Sequence, residues 1–92
     1  MKKRETIEKT LNMMETGRRA RVIQVKGQGS SLKRLFEMGM VPGTFLEVTK
    51  KAPLGDPVDF KLKGYNLSLR KQEAEMVIVE VINEVMNEVM DE

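Results

Sequence analysis

The sequence predicts a mainly β fold, a small five-stranded barrel with one short helix after its first strand. Short β-branched or alternating runs recur at 18–26, 44–50, 58–63, 66–69 and 77–82, five strands within about seventy residues. Turn formers separate these runs: Gly27 and Gly29, Pro42-Gly43, Pro53 through Pro57, and Gly64. The 92-residue length fits one domain. Closing such a sheet into a barrel removes the free edges that template aggregation.

The N-terminal stretch 5–15 sets Ile7, Leu11 and Met14 at helical spacing, and Gly17 ends it. "RRARVIQVK", 18–26, is the first strand, built on the β-branched Val22, Ile23 and Val25. Ser30 or Ser31 is placed to cap a helix over 31–38, whose Leu32, Leu35 and Phe36 share one face. Gly39 stops that helix in the left-handed conformation, which lets Met40 reach back to Leu35. Val41-Pro42-Gly43-Thr44 suits a type II turn, with Pro fixing φ at the second position and Gly accepting positive φ at the third.

A strand over 44–50 follows, with Phe45 or Leu46, and Val48, turned to the core. "APLGDP", 52–57, is a loop, and "VDFKLK" alternates Val58, Phe60 and Leu62 with polar residues, as a half-buried strand does. Lys63-Gly64-Tyr65-Asn66 fits a two-residue type II′ hairpin with Gly first, and Leu67 and Leu69 mark the return strand. Residues 70–76 allow one helical turn, and "VIVEVI", 77–82, closes the barrel. Beyond it, "NEVMNEVMDE" places Ile82, Val85, Met86, Val89 and Met90 along one helical stripe. This acidic amphipathic C-terminal extension, 83–92, either folds back on the barrel or pairs with a second copy in a homo-oligomer.

The chain has no cysteine and no histidine, which removes the residues of most zinc and copper sites and most nucleophile–base pairs. "VKGQGSSLKR" lacks the longer loop and the Lys-Ser/Thr pair of a phosphate loop and reads as a Ser-capped turn. Glu47, Asp56 and Asp59 match no calcium loop and read as surface acids, with Asp56 a turn former before Pro57. The bases Arg18, Arg19, Arg21, Lys26, Lys33 and Arg34 raise a nucleic-acid reading. Against it, three of the four aromatics, Phe36, Phe45, Phe60 and Tyr65, fall at positions claimed by the core pattern. The eight methionines read as core filler or adaptable contact surface. The expectation is therefore no catalytic residue, no metal ligand set and no cofactor.

The net charge of +2 conceals a polarity: +7 over 1–35, +2 over 36–71 and −7 over 72–92. The simplest reading is that the two ends lie close together. Lys2, Lys3 and Arg4 precede no apolar run of signal-peptide length, and nothing approaches the roughly 20 apolar residues of a membrane span. A cytoplasmic protein without direct membrane insertion is expected.

Residues 32–81, "LKRLFEMGMVPGTFLEVTKKAPLGDPVDFKLKGYNLSLRKQEAEMVIVEV", resemble the ferrous iron transport protein A (FeoA-like) family. The resemblance rests on Arg34-Leu35, the corner from Met38 to Thr44, Pro53-Leu54-Gly55-Asp56-Pro57, Gly64, Leu69-Arg70 and Glu73-Ala74. Met38 and Met40 stand where that family commonly has Leu. With the opening segment 10–27, the similarity covers 10–82, leaving 1–9 as an N-terminal extension. It implies an SH3-like barrel and a non-enzymatic cytoplasmic accessory of ferrous iron transport. Such a protein acts by contact on the membrane GTP-dependent (FeoB-like) iron transporter. The other readings are a direct iron-sensing or metal-binding domain and a nucleic-acid-binding barrel. The loop Pro53, Leu54, Gly55, Asp56 and Pro57 is the candidate partner surface. Gly39, Pro42, Gly43 and Gly64 are expected to serve the turns.

Overall fold

A computed structural model describes residues 6–82, and of Thr6 its backbone. The elements are β1 (Thr6–Thr10), a 3-10 turn (Leu11–Met13), β2 (Arg19–Val25), α1 (Gly29–Glu37), β3 (Phe45–Lys51), β4 (Val58–Leu62), β5 (Tyr65–Leu69), α2 (Lys71–Ala74) and β6 (Val77–Ile82). The strands form one antiparallel sheet in the order β1-β6-β2-β3-β4-β5. Its inward residues meet in a single core: Ala20 and Val22, Leu46 and Val48, Val58, Phe60 and Leu62, Leu69, then Val77, Val79 and Val81. Period-2 alternation produces this directly, since every second side chain of a strand faces one side. Leu11, Met14, Leu35, Met40 and Ala74 fill the core from outside the strands.

The mainly β class stands, with six strands instead of five. The stretch 5–15 is not a helix. Thr6–Thr10 pairs residue by residue with β6, from Thr6 opposite Ile82 to Thr10 opposite Ile78. About three helical turns are marginal in isolation, so a full ladder against an existing strand outweighs the weak helical pattern. Leu11 and Met14 are still buried, through the 3-10 turn, in which the Met14 N–H donates to the Leu11 carbonyl at 3.2 Å. Ile7 and Met13 remain exposed. The sheet thus begins inside the stretch read as an N-terminal extension. The acidic extension 83–92 lies outside the described residues.

The corner after α1 follows the expected chemistry. Gly39 has φ of 99°, its N–H donates to Phe36 O at 3.0 Å, and the Met40 N–H donates to Leu35 O at 3.0 Å. Those two bonds are the Schellman pattern. The type II turn closes with Thr44 N–H donating to Val41 O at 3.0 Å and Gly43 at φ of 97°. Three local expectations need correction. Helix α1 starts at Gly29 with Gln28 as its cap residue, and neither serine caps it. Gly29 itself, at φ of 57°, turns the chain into the helix. Of Leu32, Leu35 and Phe36, only Leu35 is buried, because a nine-residue helix on a barrel this small contacts it along a narrow line. The β4–β5 hairpin pairs Leu62 with Tyr65, so Gly64 is the second loop residue, at φ of 85°. Lys63 precedes it at negative φ, which excludes the type II′ turn.

Candidate functional site

The loop between β3 and β4 carries the most exposed large apolar side chain among the described residues, Leu54, at 91%. Its backbone is braced on both sides. Gly55 N–H donates to Ala52 O at 2.7 Å, and Ala52 N–H donates to Pro57 O at 3.0 Å. Asp56 Oδ1 accepts from the backbone N–H of Lys71 at 3.0 Å and lies 3.6 Å from Arg70 Nε. The carboxylate therefore fastens the loop to the start of α2. Gly55, at φ of 81°, makes the bend, and the Asp56–Pro57 peptide is cis. Of the five residues expected to meet a partner, Pro53 and Leu54 are exposed at the tip, while Gly55, Asp56 and Pro57 form the half-buried base. A braced loop loses little conformational freedom on docking. Covering one exposed Leu is worth about 1.5–3 kcal/mol.

The polar residues of the motif set are occupied internally. Arg34 Nη1 bonds Glu73 Oε2 at 2.6 Å, and Glu73 Oε1 accepts from Arg70 N–H at 2.9 Å. One carboxylate thus ties α1 to the first turn of α2. Tyr65 Oη donates to Met38 O at 2.7 Å, fixing β5 to the end of α1. Leu54 is thereby left as the motif side chain turned furthest from the protein's own interactions.

A second surface lies at the other end of the same hairpin and was not singled out from the sequence. A shallow groove is lined by the apolar Phe45, Leu62 and Ile82. Among the described residues, Arg19, Lys61 and Lys63 stand on its walls together with one acid, Glu47. Cross-strand register explains the placement: Ile82 pairs with Arg19, Arg19 with Glu47, and Glu47 with Lys61. Because Leu46 and Val48 point inward, Phe45 must point outward with Glu47. The choice between Phe45 and Leu46 was the available signal.

The expectation that three of four aromatics belong to the core is overturned. Phe60 is buried, whereas Phe36, Phe45 and Tyr65 are 42%, 60% and 47% exposed. Of the bases, Arg19 lines the groove beside Phe45, and three others are engaged by acids. Arg21 pairs with Glu80 at 3.0 Å, Arg34 with Glu73 at 2.6 Å, and Lys33 with Glu37 at 4.0 Å. The first two pairs join the basic segment 1–35 to the acidic segment 72–92, as the charge polarity suggested. The depression beside Ser30 and Ser31 contains Glu37 and Glu73 as well as Lys33 and Arg34, a mixed lining that does not select for an anion. Asp56 is held by Arg70 and Lys71, and Asp59 by the Ser68 hydroxyl. Among the described residues, no group of three or more His, Cys, Asp or Glu is placed to hold a metal ion. No helix among them is long and apolar enough to cross a membrane.

The family model for the FeoA domain matches residues 9–81. A curated relative is the Fe(2+) transport protein A/Fe(2+) transporter FeoB fusion protein of Porphyromonas gingivalis, 41% identical over 73 residues. Those residues are 79% of this chain but only 9% of that protein's length. Among solved structures, a FeoA-like protein from Clostridium acetobutylicum superposes with a TM-score of 0.77 at 39% identity, covering 84% of this chain and 90% of that one. FeoA of Stenotrophomonas maltophilia complexed with zinc gives a TM-score of 0.66 at 26% identity, covering 85% and 93%. It is described as a prokaryotic SH3-domain protein, and a role as a ferrous iron transport activating factor has been suggested for it. The fold of the present chain is SH3-like.

Proposed function

The chain belongs to the FeoA domain family, and from that premise we propose that it is a non-enzymatic cytoplasmic accessory of ferrous iron transport. It acts by contact on a membrane GTP-dependent transporter of the FeoB type. One observation carries the reading: in the P. gingivalis relative, a segment 41% identical to this chain is fused to a FeoB transporter. Fusion holds two modules at high effective concentration, an arrangement that suits modules whose contact is functional. The braced loop with Leu54 at its tip supplies the docking element: an exposed apolar anchor on a pre-ordered backbone.

A direct metal-sensing role draws no support from the side chains. The S. maltophilia protein is complexed with zinc, but the present chain has no His or Cys to offer. Its three candidate acids, Glu47, Asp56 and Asp59, are distributed among separate partners and strands. The test is affinity capture. The tagged full chain is expected to retain the detergent-solubilised transporter, or its cytoplasmic region, from a purified preparation. Absence of retention at micromolar concentrations of both would refute the reading.

A further inference from the structure

The sheet has two edges, β1 and β5, and their chemistry differs. Strand β1, TIEKT, carries Glu8 and Lys9, charges of the kind that keep an edge from pairing with another chain. Strand β5, YNLSL, has no charge and no proline, and its ladder to β4 runs over five pairs without a bulge. We propose that β5 pairs with the β5 of a second copy, antiparallel and centred on Leu67, so that one sheet runs through a two-fold dimer.

Hydrogen-bond parity comes first. Two residues, Lys63 and Gly64, connect Leu62 to Tyr65, so Leu62–Tyr65 is the hydrogen-bonded pair that closes the hairpin. Alternation along an antiparallel ladder makes Phe60–Leu67 and Val58–Leu69 the next such pairs. The backbone groups of Asn66 and Ser68 therefore point away from β4. Asp59, opposite Ser68, agrees: its carbonyl accepts from Thr49 Oγ1 of β3 at 3.2 Å and so turns away from β5. Asn66 and Ser68 are exposed, and among the described residues nothing bonds their outward N–H and C=O groups.

This edge is complementary to itself. With Leu67 opposite the second copy's Leu67, Asn66 faces the second copy's Ser68, and Ser68 its Asn66. Each is an outward residue meeting an outward residue, and each pair exchanges two backbone bonds. An axis moved to Asn66 sets Ser68 against the turn residue Gly64, and an axis moved to Ser68 sets Asn66 against Arg70, beyond the strand. The apolar face points the same way. Tyr65, Leu67 and Leu69 lie opposite Leu62, Phe60 and Val58. All three on β4 are buried, whereas on β5 only Leu69 is; Leu67 is half-buried and Tyr65 exposed. The core wall thus stops short along the free edge. In the dimer Leu67 meets its own copy and Tyr65 meets the second copy's Leu69, cross-strand pairs that stabilise a sheet. A contact this short gives weak, reversible association. It uses neither Leu54 nor a transporter, so it is independent of the accessory function.

The chain contains no cysteine, so Asn66→Cys and Ser68→Cys in the full chain each provide a single thiol. Hydrogen-bonded cross-strand partners stand about 5.5 Å apart at Cα, within disulfide range. In an equimolar mixture under mild oxidant, the mixed disulfide should form nearly all of the dimer, far above the half expected of random encounters. In the isotopically labelled parent, the amide signals of Asn66 and Ser68 should shift between micromolar and millimolar protein, and those of Tyr65 and Leu69, already bonded to β4, much less. Asn66→Pro removes one outward N–H and leaves the β4 ladder intact, so a folded spectrum should remain while the shift at Ser68 disappears. Amides of Asn66 and Ser68 that do not change with concentration would overturn the proposal and leave this edge to an unlike strand. So would a statistical mixture of disulfides, or association undiminished in Asn66→Pro.

Discussion

Replacing Gly39 by Ala should be among the more damaging single-methyl additions available to this domain, and its cost can be divided in two. The first part is backbone. Gly39 sits at φ of 99°, and a side chain in left-handed backbone costs about 1–2 kcal/mol. The second part is specific to this fold. A Cβ on Gly39 would overlap the Tyr65 hydroxyl, the group that donates to Met38 O at 2.7 Å. Displacing the hydroxyl forfeits a hydrogen bond worth about 0.5–1.5 kcal/mol. The total is about 1.5–3.5 kcal/mol, or about 6–28 °C in melting temperature for a domain of this size. The two parts separate in a cycle with Tyr65→Phe. Without the hydroxyl, the nearest ring atom, Cζ, would stand 3.5 Å from the new methyl, ordinary contact. Gly39→Ala should therefore cost about 1 kcal/mol less in the Tyr65→Phe background than in the parent. Urea melts of the four proteins decide it. Additive effects would show that the hydroxyl does not oppose the methyl, and a Gly39→Ala midpoint equal to the parent's would refute the backbone argument as well.

Ser30→Ala should change stability by no more than about 0.5 kcal/mol, since no side chain caps α1; the same urea melts report it. Asp56→Ala removes the bond to the Lys71 N–H and should cost about 1 kcal/mol, with faster hydrogen exchange at Gly55 as the local signature. Phe60→Ala, at a fully buried position, should cost about 3–5 kcal/mol and leave little folded protein at ambient temperature, measured by near-ultraviolet circular dichroism.

The sequence made the barrel legible where strand alternation coincides with burial. Val58, Phe60 and Leu62 are the clearest instance. The corner from Met38 to Thr44 was legible because left-handed and turn backbone need particular residues. Strand β1 was hidden for a physical reason: among its described side chains none is fully buried, so no core pattern marks it, and its ladder to β6 is a long-range property. The serine cap was misplaced because Gln28 and Gly29 start the helix earlier without a side-chain bond. The exposed loop was legible from Pro53, Leu54 and Pro57, but its bracing by Asp56 against α2 spans 15 residues. The groove needed the register of four strands and was out of reach of any local reading.

The central claim is that Leu54 is the anchor of a docking surface for a FeoB-type transporter. Binding of the full chain to the purified transporter, measured by biolayer interferometry for the parent and Leu54→Asp, tests it most directly. At 91% exposure the substitution should leave the melting temperature within about 2 °C of the parent. A buried anchor replaced by a charge should weaken binding by at least about ten-fold, the equivalent of about 1.4 kcal/mol. Parent-like affinity in a variant with parent-like stability would contradict the claim.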